Sequence, residues 1–333
     1  MTAGSRAEKA RRRGAVNILF LGGAKRVVMA RMLQDACAAL GLGCTITGYE
    51  LSPHCPLGGF HPVETGLRWS DPEIFAHLDS VCRRHDIDIV LPFVDRAVEV
   101  AAAFVSEHSS TGVCAPVSDY DVCRRMFDKC AAAELFGAAG VAIPRTWKPG
   151  DSCEGLIAKP RLGSASKGLV MIDSLADLLA LGPDPTDAYL IQQRIDDRDE
   201  ISVDCYVRMS DREPLAISPR YRLEVNGGEV VRTTTCDDIE CRNLTLQAIE
   251  VAGLRGAVTV QLIRDRRSGR LMVMEVNPRL GGGCPASVHA GADIPRLIIA
   301  DFLGEATRSM NATPGVTTVR YLEDVVFYPE NFA

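Results

Sequence analysis

LMVMEVNPRLGGG, residues 271–283, is the stretch whose reading decides the rest. AVTVQLIR, residues 257–264, stands before it, and a polar turn at 265–270 joins the two. Two apolar, β-branched runs around such a turn predict an antiparallel hairpin. A three-residue loop of Arg267, Ser268 and Gly269, with Gly269 in the left-handed position, pairs Arg266 with Arg270. Counting outward on both strands then sets Gln261 opposite Glu275. Strand side chains alternate faces, so Val258, Val260, Leu262, Met272, Met274 and Val276 are expected to form one apolar core face. The other face carries Gln261, Glu275 and Asn277 together, at the end away from the turn.

Three oxygen-bearing side chains so placed make a half-built site for a hard cation. Magnesium takes oxygen ligands, keeps several waters and is commonly completed by substrate phosphates. Pro278 ends the ladder, and Arg279 sets a permanent cation beside the metal position, suited to phosphoryl or acyl-phosphate oxygens. The same residues also fit a solvated strand end running into a loose glycine loop, and spacing does not choose between the two.

A chain of 333 residues allows two or three domains with a large core. Apolar content of 47% with 24% charged residues is that of an ordinary soluble globular protein. A formal charge of −6 argues against binding nucleic acid through overall charge. Twelve cysteines without CxxC or Cys/His spacing argue against a zinc site; scattered through apolar runs (Cys82, Cys205, Cys284), they read as reduced, buried thiols of a cytoplasmic protein. The run AVNILFLGG after Arg11, Arg12 and Arg13 is too short for a leader, and Lys25 and Arg26 follow at once, so it reads as a strand entering a helix. No segment is apolar for long enough to span a bilayer. Residues 1–15 are expected to be a disordered, dispensable basic tail.

Strands are expected at 16–21, 44–49, 87–92 and 112–115, with helices at 26–40, 72–85 and 95–107 between them. That alternation implies a parallel sheet in a Rossmann-like unit, residues 16–115. Gly22-Gly23 is not a full dinucleotide fingerprint and reads as a packing turn. A helix begins at Ser118 and carries Lys129, which in isolation is a surface lysine. GLIAKP, 155–160, is a strand ending at Lys159, and the loop from Gly163 to Gly168 links it to the next strand. A Gly/Ser loop of that kind can fold over phosphates through backbone N–H groups, Ser164, Ser166 and Lys167, although mobile hairpin tips use the same residues. Further strands are expected at 189–194, 200–209, 215–225, 228–235 and 318–327, with helices at 175–181, 238–252 and 295–303. The small unit is set at 116–195 and the C-terminal one at 196–333.

Taken in order, FDKCAAAELFGAAGVAIPRTW, IAKPRLGSASKG, IQQRI with EISVDCYV, VQLI and MEVNPRLGGG resemble an ATP-grasp enzyme of the carbamoyl-phosphate synthase large-subunit-like branch, the carboxylate–amine ligase type. The resemblance covers roughly residues 16–325 and implies a mixed α/β and α+β architecture: an N-terminal Rossmann-like parallel-sheet domain, a small lid domain and a C-terminal antiparallel-sheet domain. It implies ATP between two antiparallel sheets, with Lys129 and Lys159 on the α- and β-phosphates and Gly163, Ser164, Ser166, Lys167 and Gly168 over the β/γ end. Gln192, Gln193, Arg194 and Ile195 would contact adenine, Glu200 would hold the ribose, and Gln261, Glu275 and Asn277 match magnesium ligands, with manganese as the alternative ion. Arg279 would be the catalytic cation. The family's adenine hinge usually reads Glu, aromatic, aliphatic; here it is Gln193, Arg194, Ile195, which changes the stacking surface. A single ATP-grasp unit without an ammonia-supplying domain argues against carbamoyl-phosphate synthesis itself.

The function so implied is ATP- and magnesium-dependent joining of a small-molecule carboxylate to an amine through an acyl phosphate. A carboxyphosphate-forming carboxylase and a non-catalytic nucleotide-binding protein of ligase ancestry are the alternatives. Arg220 and Arg222 in SPRYRLEV, or His289 in ASVHAGAD, are the candidate substrate contacts, with surface cations and a helix-start histidine as the competing readings. Similar proteins are commonly homodimers, and neither nucleic acid nor membrane is an expected partner.

Overall fold

The computed structural model describes residues 3–163 and 167–328. The N-terminal sheet is formed by β1 (Ala15–Leu21), β2 (Gly43–Glu50), β3 (Val63–Thr65) and β4 (Ile89–Pro92), in the order β3-β2-β1-β4 and parallel throughout. Helices Val27–Ala39, Ile74–Arg84 and Asp95–Ala103 make the crossovers. The strand expected at 112–115 reduces to one parallel bridge, Ile89 to Cys114, beside β4, and the three residues of β3 form the opposite edge, beside β2. Gly22 (φ +67°) and Gly23 are a packing turn: a Cβ on Gly22 would lie 2.7 Å from Val94, and one on Gly23 2.9 Å from Phe20.

The basic N-terminus is not a disordered tail. Ala3–Arg13 is a helix whose Ala7 and Ala10 are buried against the sheet domain. Arg6 is only 2% exposed; its Nη1 donates to Asp86 at 2.6 Å, and its Nε and Nη2 donate to the carbonyl of Thr111. Arg13, seven residues on and therefore on the same helix face, pairs with the fully buried Asp88. Arg11 donates to the carbonyl of Leu303. The charges that suggested solvent are satisfied by carboxylates some seventy residues away.

The segment expected as one helix from Ser118 is two, Tyr120–Phe127 and Lys129–Ala138. Asp128 breaks them: its Oδ1 accepts the N–H groups of Cys130 and Ala131, and its Oδ2 accepts from Arg161. The small sheet holds β5 (Leu156–Pro160), β6 (Val170–Ile172) and β7 (Tyr189–Gln193) in the antiparallel order β6-β5-β7. It has its own core of Leu156, Ala158, Ile172, Leu178 and Ile191.

The large sheet runs β12-β11-β8-β9-β10-β13, antiparallel, from β8 (Arg198–Val207), β9 (Pro214–Asn226), β10 (Glu229–Thr235), β11 (Gly256–Asp265), β12 (Leu271–Asn277) and β13 (Thr317–Val319). The last strand is far shorter than the stretch 318–327. One face packs Ile201, Val203, Cys205, Val258, Val260 and Leu262 against helix Ile239–Ala252. Helix Ile294–Leu303 lies against helix Val27–Ala39, so that Ile18, Phe20, Leu33, Ile294, Leu297 and Tyr206 share a core. The N-terminal sheet and the C-terminal unit are therefore joined by apolar packing, whereas the small sheet keeps its core to itself.

The β11–β12 hairpin differs from expectation at its tip. Asp265 donates its N–H to the carbonyl of Arg270, and the pairs Arg264–Leu271, Ile263–Met272 and Leu262–Val273 follow, one residue out of the expected register. A bulge at Met274 restores it, and Gln261 pairs with Glu275. Gly269 does adopt φ +72°. Because the bulge inverts the faces, Val273 rather than Met274 joins the Leu262 core, and Met272 turns to the other side with Ile195 and Ile263.

Candidate functional site

The second face of the large sheet is polar because its register aligns polar residues in rows. Glu275, Gln261, Ser202 and Arg220 are successive partners across β12, β11, β8 and β9. One row further from the tip lie Asn277, Thr259, Asp204 and Ser218; one row nearer, Met272, Ile263 and Glu200. Residues paired in this way point to the same side. Gln261, Glu275 and Asn277 thus share one face at one end of the hairpin.

Four charged residues from other elements surround Glu275. Its pKa is raised, first by burial, with Asp95 adding to the rise and Lys129, Arg279 and Lys159 opposing it. The Glu275 carboxylate makes no hydrogen bond or ion pair with any described residue. Asn277 Oδ1 accepts from Nη2 of Arg279 at 3.3 Å. One free carboxylate flanked by two amide oxygens is a sparse, hard-oxygen set that suits a magnesium ion otherwise held by water and phosphate. Among the described residues no three His, Cys, Asp or Glu side chains cluster as metal ligands.

Lys159, near the end of β5, donates to Gln192 Oε1 at 3.0 Å. Burial pulls its pKa down to about 8, opposed by Glu275 and Glu200 and assisted by Lys129 and Arg198. Gln192 is 2% exposed and spends its amide on the carbonyl of Pro144, so its side chain braces Lys159. Lys129 is the first residue of its helix and donates to the carbonyl of Gly163 at 2.6 Å. Lys167 and Gly168, with φ +74°, close the far side of the loop; Ser164 and Ser166 lie outside the described residues.

At the hinge, Gln193 donates its N–H to Arg145 and Arg194 its own to Gly155. The Arg194 guanidinium is engaged by Asp173 and Asp196, each at 2.9 Å. Ile195 packs with Ile263 and Met272, with Ala142 and Met274 beside them, an apolar patch next to the polar rows. Glu200 faces two cations: Arg198 at 3.0 Å and Arg222 at 3.4 Å.

Of the candidate substrate contacts, Arg222 has its pKa lowered by burial and by the neighbouring Arg220, and Glu200 and Glu275 counter that only in part. Arg220 is neither a surface cation nor freely available. It is 1% exposed, and its Nε and Nη2 donate to Asp204, which also accepts from Ser287 at 2.6 Å. Its Nη1 has no partner among the described residues. His289 is exposed, and it ends helix Cys284–His289 rather than starting it.

Two site residues escaped the sequence reading. Asp95, at the start of helix Asp95–Ala103, accepts from Nε of Arg279 at 2.8 Å. Arg26 lies against Gly282, where a Cβ would come within 3.0 Å of its Nη1. The glycine run is therefore tight rather than loose: a Cβ on Gly281 would meet Thr259 at 2.8 Å, and one on Gly283 would meet Arg220 and Val230 at 2.6 Å. Thr259 fixes the loop by donating to the carbonyl of Arg279 and accepting the N–H of Gly281.

A family model described as ATP-grasp in the biosynthetic pathway with Ter operon matches residues 186–325. No curated protein matches in sequence. Among solved structures, N5-carboxyaminoimidazole synthetase from Staphylococcus aureus, complexed with ADP, superposes with a TM-score of 0.68 at 16% identity over 89% of this chain and 80% of that one. The biotin carboxylase domain of the 2-oxoglutarate carboxylase from Hydrogenobacter thermophilus, in complex with MgADP and bicarbonate, gives 0.69 at 16% over 89% and 72%. L-amino acid ligase from Bacillus licheniformis gives 0.65 at 16% over 86% and 74%.

Proposed function

We propose that this chain, which has the ATP-grasp fold, is an ATP- and magnesium-dependent ligase that activates a carboxylate as an acyl phosphate and joins it to an amine. The observation that carries this reading is the gathering of Lys129, Lys159 and Arg279 around Glu275, on the face shared by Gln261 and Asn277.

ATP would lie between the small and the large sheet. Its adenine would meet the apolar patch of Ile195, Ile263 and Met272 and the backbone of Gln193 to Ile195. With Arg194 committed to Asp173 and Asp196, the departure at the hinge concerns the surface more than the ring contact. Glu200 would hold the ribose, Lys159 and Lys129 the α- and β-phosphates, and the loop from Gly163 to Gly168 would cover the γ end. Gln261, Glu275 and Asn277 would hold magnesium, which when bound neutralises charge on the phosphate oxygens.

In the first step a carboxylate oxygen attacks the γ-phosphorus and the bond to ADP breaks. In the second the amine nitrogen attacks the acyl carbon, the C–O bond to phosphate breaks, and the nitrogen loses a proton to solvent. Catalysis is positioning and charge neutralisation, with Arg279, held by Asp95 and Asn277, against the developing phosphoryl and acyl-phosphate oxygens. No side chain is assigned as general base. Arg222, facing Glu200 and Glu275, is the better placed of the two arginines to meet a substrate carboxylate. Arg220, tied to Asp204, is assigned a supporting role beneath it.

A carboxylase-type reaction through carboxyphosphate is the second reading, favoured by the superposition on a biotin carboxylase domain at a TM-score of 0.69, against 0.65 for the amino acid ligase. Phosphate release from ATP and magnesium is the test, measured with a panel of carboxylates and amines. Release requiring both an organic carboxylate and an amine supports ligation; release requiring bicarbonate supports the second reading. Tight ATP binding with no release under any combination overturns both in favour of a nucleotide sensor.

A further inference from the structure

A cleft of about 1020 Å³ opens above the carboxyl ends of β1, β2 and β4, the edge at which parallel α/β sheets bind ligands. Its volume suits an organic molecule rather than ammonia. Leu67, Trp69, Phe75, Val94, Val100 and Tyr120 supply apolar walls. Trp69 is held in place by Tyr49, with ring centroids 5.8 Å apart, and the Tyr49 hydroxyl is itself fixed by His77 and the N–H of Leu67.

The cleft adjoins the proposed reaction centre. Val94 lines it, and the next residue, Asp95, bonds Arg279. Arg26 lines it too, packs against Gly282 and feels the charge of Arg279.

Most charges along the cleft are already answered. Arg26 pairs with Glu229 at 3.8 Å, and Arg96 pairs with Glu99 at 3.0 Å. Lys25 and Arg68 are exposed, where solvent weakens what they can offer an anion. Glu50 differs: its Oε1 is buried and has no partner among the described residues. Burial raises its pKa, and the N–H groups of Ala24 and Gly23 pull the other way. A buried carboxylate oxygen without a donor is costly unless a ligand supplies one.

We propose that this cleft is the acceptor-amine site, and that Glu50 is a specificity-determining residue binding a cationic nitrogen of an acceptor whose apolar, ring-sized body lies against Trp69 and Leu67. The assignment rests on the ligase reading above and names the substrate class for it: an amphipathic organic amine rather than ammonia or an anionic acceptor.

The protein has two tryptophans, Trp69 in the cleft and Trp147 in the small domain. Trp147→Phe therefore leaves Trp69 as the reporter. In that background, phenethylamine and leucinamide are expected to change Trp69 fluorescence saturably, and 3-phenylpropionate is expected to bind at least fivefold more weakly than phenethylamine. Adding Glu50→Gln should weaken phenethylamine binding at least fivefold while calorimetric ATP–magnesium affinity stays the same. Silence of Trp69 toward both amines, a preference for phenethylamine over 3-phenylpropionate of less than fivefold, or a smaller effect of Glu50→Gln overturns the assignment. The comparison of amine with carboxylate needs no change at Glu50, so it decides even if that variant folds poorly. Failure of the ligase reading is distinguishable: amines would bind at Trp69, yet no carboxylate would make them stimulate phosphate release.

Discussion

Asp95 Oδ1 accepts a hydrogen bond from Nε of Arg279 at 2.8 Å, which ties the first turn after β4 to the residue just beyond β12. An arginine on a glycine-rich segment would otherwise sample many rotamers; this contact, with Asn277 on Nη2, fixes one. Asp95→Asn keeps the size and removes the charge. The expected outcome is a fall in kcat of about 10-fold to 100-fold, since one preorganised cation is partly misplaced, with KM for ATP changed less than about twofold. Steady-state kinetics of ADP release measures both.

Glu275→Gln should remove turnover by at least about 100-fold, because the only carboxylate of the proposed magnesium set is lost. Folding should not suffer. Burial raises the Glu275 pKa, so the ionised carboxylate is a cost to the fold and glutamine relieves it. Thermal melting at pH 7 is expected to give an unchanged or higher Tm for the variant, alongside the lost activity. A variant that keeps its rate would mean the metal lies elsewhere.

With Lys159 on the nucleotide phosphates, as proposed, nucleotide binding should depend on pH. Its pKa is lowered from the ordinary lysine value to about 8, so the free site loses this cation as pH rises through that point. ATP phosphates favour the charged form, so binding above pH 8 must take up a proton. Apparent ATP affinity should therefore weaken with a slope approaching about tenfold per pH unit above 8, and be flat below pH 7 where the lysine is already charged. Calorimetry at pH 9 in buffers of different ionisation enthalpy should register that uptake, and Lys159→Arg should abolish it.

The helix Ala3–Arg13 should matter to stability rather than to chemistry. Arg6→Ala removes a buried guanidinium that satisfies Asp86 and the carbonyl of Thr111, and leaves Asp88 with fewer donors. A loss of about 2–3 kcal/mol is expected in urea unfolding, with kcat within about twofold of the parent at low temperature. A deletion of residues 1–13 that melts like the full chain would show that the docked helix contributes nothing.

Local pattern and motif order made the sheet-bearing units and most of the proposed site legible. Alternation exposed Gln261, Glu275 and Asn277 on one face of the hairpin, and Lys129, Lys159 and Arg279 each sat in a recognisable run. What escaped was decided by distant partners. The arginines of the first helix look solvated until Asp86 and Asp88 are placed beside them, and Asp95 is one acidic helix start among several until Arg279 arrives from 184 residues away. Arg220 likewise reads as a substrate contact or a surface cation on its strand, whereas Asp204 on the neighbouring strand holds it buried. The length of β13 was overestimated because apolar residues such as Leu322 and Val326 suggest a strand, yet both are largely exposed.

The inserted residue at Met274 acts as a slack link between the hairpin tip and its far end. Upstream of it the pairing follows whatever spacing the connection imposes; downstream it is phased by Gln261 and by the neighbouring β8. Homologues could therefore lengthen or shorten the stretch around Ser268 without moving Glu275 from its place opposite Gln261, and deleting the single residue 274 would close the bulge into a regular ladder that keeps the carboxylate on the polar face.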